Sequence, residues 1–550
     1  MHMFCFQCQE TSEGRGCTFG GHCGKTEETA NFQDLLIFSL KGLGLLAERL
    51  IEAGETIPEN IGGLVFGTLF ATVTNTNFDA DRIVTLIDYV LEAKRDLYAR
   101  LHRLGLTNDL DAIATWDAQR AAYTAKAYSV GVLQTPDTDI RGLRESITYG
   151  LKGMSSYAHY AQVMGAYSNE TAEFILKALA AIAREVDFER LFQLALDTGK
   201  QNLVAMSILD RAHSERFGTP VARAVSIGVR DKPGILVSGH DLVELHQILE
   251  QTRGTGVDVY THSEMIAAHY YPKLSAFEHL AGNYGNAWWR QEDEFAKFNG
   301  PIVMTSNCIT SVADTYKDRI FTTSVAGYPG VPHLTQTLPT GELDFTAVLE
   351  LAKRCAPPRP IDNGSIPGGY AHAPLWGMID DIIALVQNGS LKRVIVMAGC
   401  DGRDSRREYY AEVARKLPKN TLILTAGCAK YAFYKQELGT IEGVPRVLDA
   451  GQCNDCYSLI HFADRLAGHL NVGLNDLPVS YQVCWFDQKA VAVYLSLLSL
   501  GIKNVWLGPT FPAYFTNRIA ERLINNFGLR SIGDPDADIA AMLAGAPSAT

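Results

Sequence analysis

The sequence predicts an α + α/β multidomain protein: an N-terminal helical bundle followed by two Rossmann-like α/β domains with parallel sheets. Three observations predict it. Apolar residues recur at helical spacing up to about residue 215. After Phe217-Gly218-Thr219-Pro220, short β-branched runs alternate with helical segments. A Pro/Gly-rich stretch, CAPPRPIDNGSIPGG at 355–369, then divides this second region. The resulting domains are 1–218, 219–356 and 357–550, as befits 550 residues, too many for one core.

Taken in order, Asn31 to Ala53 reads as an amphipathic helix. Asp79 to Leu104 is clearer, with Ile83, Leu86, Ile87, Val90, Leu91, Leu97 and Leu101 on one face. Thr171 to Ile208 reads as two helices broken near Asp187 or Gly199. GILVSGH (234–240), the periodic DLVELHQILEQ, Gly254-Thr255-Gly256 and VDVYTHSE (257–264) then make a βαβ unit. Past the Pro/Gly stretch the strands are RVIVMAGC, TLILTAGC, PRVLDAGQC, VSYQVCWFDQK and NVWLGPT. There is no internal repeat, and no GxGxxG or GxxxxGK[ST] nucleotide loop.

The composition, 47% hydrophobic and 20% charged, is that of a folded globular chain. A net charge of −12 argues against nucleic acid as a partner, because phosphates require a basic face. No apolar run approaches the ~18–20 residues that span a bilayer, and no signal peptide is visible at the N-terminus. The expectation is a soluble cytoplasmic protein with no membrane partner. Its eleven cysteines therefore point to metal binding, catalysis or burial rather than to a disulfide framework.

Cys5, Cys8, Cys17 and Cys23 form C-x2-C-x8-C-x5-C. Four thiolates suit zinc or an iron–sulfur cluster. The uneven spacing and the surrounding glycines (14, 16, 20, 21, 24) favour a loop wrapped around a cluster. A second set is positional. His240, Glu264, Cys308, Cys400, Cys428 and Cys453 each lie at or just past the C-terminal end of a predicted buried strand, the rim where parallel sheets bind ligands. Singly, each reads more simply as a packed or hydrogen-bonded residue. Together they make a mixed soft and hard donor set, which suggests irons not fully bridged by sulfur and open to substrate. Cys355 reads as a linker thiol, Cys456 as packing in a turn, and Cys484 as core within a strand.

With these residues in view the chain resembles the hybrid-cluster proteins, also called hydroxylamine reductases, essentially end to end. The strings that carry the resemblance are FCFQCQET, CGKTEET, NTNFDADRIV, GHDL, GTGVDVYTHSEM, GPIVMTSNC, AGCDGR, GCAKY, DAGQCND and WFDQKAV. The resemblance implies a 4Fe–4S cluster on Cys5, Cys8, Cys17 and Cys23. It also implies a buried hybrid cluster of the 4Fe–2O–2S type on His240, Glu264, Cys308, Cys400, Cys428, Cys453 and the carboxylate at 487. Cys400 matches the persulfide position, and Lys489 the lysine beside the cluster. The family has Glu in WFEQK where this chain has Asp487, whose carboxylate falls about 1.5 Å short. The activity implied is reduction of hydroxylamine to ammonia and water, with a redox protein as electron donor and Lys489, His240 and Glu264 at the reacting centre. The family is also linked to nitric oxide reduction. A carbon monoxide dehydrogenase would need nickel and a different N-terminal cysteine pattern. A nonenzymatic electron carrier would not need mixed ligands. Neither the donor's identity nor the oligomeric state is legible.

Overall fold

The computed structural model describes residues 3–545. Its longer N-terminal helices are α1 (Glu27–Glu52), α2 (Glu59–Ala71), α3 (Ala80–Arg103), α4 (Thr138–Val163), α5 (Asn169–Arg184) and α6 (Phe188–Phe217). Five of the six begin at a capping side chain: Thr26, Asp79, Asp137, Ser168 and Asp187 each accept a backbone N–H of the first turn. Asp187 is thus the break expected between α5 and α6. Gly199, the alternative break, lies inside α6. The reason is packing: a Cβ there would overlap the Leu495 carbonyl of a helix from the far end of the chain.

The first parallel sheet comprises β1 (Gly234–Ser238), β2 (Asp258–Thr261), β3 (Leu280–Asn283), β4 (Ile302–Met304) and β5 (Ile320–Thr322), with α7 (Leu242–Thr252) crossing from β1 to β2. Its order is β3-β2-β1-β4-β5. The second comprises β6 (Arg393–Gly399), β7 (Thr421–Thr425), β8 (Val447–Asp449), β9 (Val479–Cys484), β10 (Val505–Gly508) and β11 (Arg530–Ser531). Its order is β8-β7-β6-β9-β10-β11. Both run outward from the first strand in one direction and then reverse. The switch points, where open α/β sheets bind ligands, lie between β1 and β4 and between β6 and β9. β1, β2, β7 and β9 are buried end to end, as sheets covered on both faces require.

Two further helices matter for the site: α8 (Cys456–Leu470) and α9 (Gln488–Ser499). The latter leaves its own sheet and packs against α4 and α6. The Pro/Gly-rich stretch is not a free linker. Ser365–Gly368 pairs antiparallel with Arg223–Ser226, and the N–H groups of Gly369 and Tyr370 donate to the Asp449 carbonyl at 3.0 and 2.8 Å. Among the described residues no helix is long and apolar enough to cross a membrane.

Candidate metal centres

At the first switch point β1 runs through Gly239, at φ 105°, into His240. Glycine is required because a Cβ would meet Thr305 and Ser306 beyond β4. The His240 N–H donates to Ser306 Oγ at 3.0 Å, and ring Nδ1 lies 3.2 Å from the Asn307 carbonyl. A carbonyl only accepts, so Nδ1 carries the hydrogen and Nε2 presents a lone pair. That lone pair faces Glu264 Oε2 at 3.1 Å and Cys453 Sγ at 3.6 Å. The Cys453 N–H donates 2.6 Å to the same carboxylate oxygen. One donor atom from each of His240, Glu264 and Cys453 lies within 4.8 Å of the others.

The second switch point faces the first. Cys400 follows β6, its N–H 2.6 Å from the Cys484 carbonyl, and its Sγ lies 3.7 Å from Asp487 Oδ1. Asn307 Nδ2 spans the gap, 3.2 Å from Cys308 Sγ and 3.3 Å from Asp487 Oδ2. Cys428 Sγ rests 3.2 Å from Ser263 Oγ, next to Glu264. Lys489 completes the group; its Nζ is buried without a hydrogen-bond partner. None of His240, Glu264, Asn307, Asp487, Lys489 and the four cysteines of this group is more than 9% exposed.

The electrostatics call for a cation. Burial, and after it Lys489, push His240 below its ordinary value, leaving the ring neutral. Burial works against charge on Glu264, but His240 in its protonated form, Lys489 and the Cys453 N–H outweigh it and hold the carboxylate well below its usual range. Burial together with the crowded carboxylates pushes Cys308, Cys400, Cys428 and Cys453 well up. Burial also raises Asp487. For Lys489 burial opposes the charge, yet Cys453, Tyr160, Glu264 and Asp487 overcome it and keep the ammonium. The His240 and Glu264 lone pairs converge beside the Cys453 thiol, an arrangement that suits a positive group taking the place of the thiol proton.

Asp487 has a second task. It is the N-cap of α9, its Oδ1 accepting from the Lys489 N–H at 2.9 Å and the Ala490 N–H at 3.4 Å. The shorter side chain thus keeps one oxygen on its own backbone and turns the other towards Asn307.

At the N-terminus, Cys5 and Cys17 form an antiparallel bridge with reciprocal N–H···O=C bonds of 3.0 and 2.8 Å. The Ser12 N–H donates to Cys17 Sγ at 3.4 Å. Burial, followed by the charges of Cys23, Cys5 and Cys17, pushes the Cys8 thiol well up, so the four sulfurs share one neighbourhood. Cys5, Cys8, Cys17 and Cys23 are all free thiols.

A short bridge joins the two centres. Gln9, next to Cys8, donates its N–H to the Phe486 carbonyl at 3.1 Å. Its Oε1 accepts from Arg407 at 2.9 Å, and the same guanidinium donates to the Cys400 carbonyl at 3.2 Å and the Trp485 carbonyl at 2.7 Å. Sequence reasoning singled out neither residue, nor Ser263, Ser306 and Asn307. Their only signal is adjacency to a cysteine or carboxylate, and for Arg407 there is none. The three remaining cysteines are not among the converging donor atoms, though Cys456 lines the same small void as Cys400 and Cys453. Cys456 is buried at the start of α8. Cys484 is the last residue of β9, in the core with Tyr410 and Trp506. Cys355 Sγ rests on the Leu351 carbonyl.

Residues 3–540 match the Prismane/CO dehydrogenase family. The chain belongs to this family. It is 47% identical over 554 residues to a protein named hydroxylamine reductase from Nitratidesulfovibrio vulgaris, covering 99% of this chain and 100% of that one. A relative of the same name from Clostridium perfringens is 48% identical over 549 residues, with the same coverage. In fold the chain resembles carbon monoxide dehydrogenase IV from Carboxydothermus hydrogenoformans, with a TM-score of 0.58 and 16% identity over 98% of this chain and 92% of that one. The structural likeness extends to architecture alone. Membership of the family implies iron–sulfur clusters, and the donor atoms fit them: thiols for sulfur-bridged iron, imidazole and carboxylate for iron with oxygen neighbours.

Proposed function

We propose that this protein reduces hydroxylamine to ammonia and water, consuming two electrons and two protons as the N–O bond breaks. The observation that carries the reading is the convergence of His240 Nε2, Glu264 Oε2 and Cys453 Sγ, ringed by Cys308, Cys400, Cys428 and Asp487. The full-length likeness to proteins named hydroxylamine reductase supports the choice of substrate. His240, Glu264, Cys308, Cys400, Cys428 and Cys453 would hold a 4Fe–2O–2S hybrid cluster, with Cys400 as persulfide and Asp487 at its edge. Cys5, Cys8, Cys17 and Cys23 would hold a 4Fe–4S cluster. When bound, these groups supply electrons, drawn from a redox protein, and an open iron acting as Lewis acid.

The chain's own residues do the rest. His240 keeps its Nδ1 hydrogen on the Asn307 carbonyl and is a ligand, not a proton donor. The unpartnered Lys489 ammonium offers a hydrogen bond and a fixed charge to the oxygen that leaves. It gives up its proton only as charge gathers there. Burial of the whole set keeps bulk water from competing for the electrons.

A second substrate, nitric oxide, is favoured by an apolar void of about 40 Å³ lined by Cys400, Cys453, Lys489, Leu459 and Val493. It suits a small uncharged molecule. The test is anaerobic: hydroxylamine-dependent oxidation of a reduced dye, with the ammonium counted. One ammonium per two electrons supports the reading. Fully loaded protein that turns over nitric oxide but not hydroxylamine would replace it.

A further inference from the structure

Beside the N-terminal cysteines, α1, α4 and the segment 126–135 enclose a cleft of about 300 Å³, with Cys5 in its lining. Five cations reach it: Lys25, Lys41, Lys126, Arg144 and Lys152. Only two carboxylates do, Asp34 and Glu145. Among the described residues none of the five cations is ion-paired. Lys25 donates to Gln33 Oε1 at 2.5 Å, and Lys152 to Gln7 Oε1 at 2.9 Å, both neutral amides. Arg144 donates to Thr135 Oγ1 at 3.1 Å and to the Glu185 carbonyl at 2.9 Å. Lys126 sits 4.6 Å over the Phe38 ring, and Lys41 lines the cleft with no ion pair among the described residues.

Lys25 and Lys152 are only 4% and 5% exposed, so their charges have lost most of their water, and among the described residues no carboxylate pairs with either. Burial and then Lys25 depress Lys152 to about 8. Burial and then Glu145 raise Asp34 to about 7, which weakens one of the two carboxylates that face the cations. A fold that gathers cations here yet keeps them off its own carboxylates leaves room for an outside anion.

We propose that this cleft binds a compact oxyanion carrying two or more negative charges, a phosphate or a short dicarboxylate. The volume suits a small ligand rather than a nucleotide. Because Cys5 lines the cleft, the bound charge also lowers the reduction potential of the N-terminal cluster and so tunes electron entry. The anion site stands on the cleft alone; only its redox consequence rests on the cluster proposed above.

Calorimetry on the anaerobically purified holoprotein tests it, with inorganic phosphate and malonate titrated separately. Saturable binding of either is expected, phosphate alone pointing to a phosphate source and malonate alone to an organic acid. Affinity should fall about tenfold in Lys41→Gln and again in Lys126→Gln, from loss of one charged hydrogen bond each. Lys177→Gln, exposed on α5, should bind as wild type. The midpoint potential of the N-terminal cluster should move negative with the bound anion in wild type and stay fixed in the double variant. No saturable heat from either anion, or equal affinity in the double variant, overturns the site. Binding without any change in potential overturns the redox coupling.

Discussion

Asp487 carries two duties on one side chain, and they can be separated. Its Oδ1 caps α9 while its Oδ2 meets Asn307 at the site. Asparagine is as good a cap as aspartate, whereas alanine is not. Asp487→Asn should therefore unfold at nearly the wild-type denaturant midpoint while losing dye-coupled activity. Asp487→Ala should lose activity and, in addition, about 1 kcal/mol of stability. Equal stability of the two variants would remove the capping role. His213 offers a pH test in the same α6 that carries the core. Burial, and then His372, lowers it to about 3. The unfolded chain takes up a proton below about 6.5, but the fold does not until about 3, so falling pH favours unfolding across that window. His213→Gln should flatten the stability profile between those limits by up to about 1.4 kcal/mol per pH unit. The check is urea unfolding across the pH series.

At the scale of elements, α9 decides how the two halves of the chain meet. It starts at the site, with Asp487 and Lys489, and runs into the helical bundle between α4 and α6. Two glycines permit that approach. A Cβ on Gly153 would overlap the Gln488 carbonyl, and one on Gly199 the Leu495 carbonyl. Asn202 Nδ2 and Ser496 Oγ then bond at 3.0 Å across the contact. Gly199→Ala should destabilise the protein by about 1–3 kcal/mol through overpacking, despite alanine's better helix propensity. A thermal midpoint at or above wild type would show that the contact yields. The periodicity that located α3 and α6 says nothing of α9's partner, since an apolar stripe specifies burial and not against what. Gly199 looked like a helix break for the same reason: without the neighbouring helix, a mid-helix glycine is only a weak point.

Over the whole molecule, the buried thiols and carboxylates oppose one another unless a positive group sits among them. Stability should therefore follow metal content. Protein stripped anaerobically of iron should unfold at a lower temperature than loaded protein, and reconstitution should restore it, as expected when a ligand binds only the native state. Calorimetric midpoints plotted against iron per chain give the check. Identical midpoints would mean that the donor set does not need its cation.

By itself the sequence determined the helical bundle, the alternation of strands and helices, and the strand ends at which His240, Glu264, Cys308, Cys400, Cys428 and Cys453 lie. Those follow from local periodicity and from chain position, which the order of residues records directly. Only the tertiary structure decided that the two sheets bring their switch points face to face. It also revealed that the Pro/Gly stretch is stitched to Arg223–Ser226 and to the end of β8, that Asn307 spans the site, and that Arg407 ties Gln9 to Cys400. It placed Asp487 on its own helix as well as at the site, and it gathered five cations around the cleft that Cys5 lines. These are contacts between residues far apart in the chain, fixed by packing and hydrogen bonding across elements, and no local pattern encodes them.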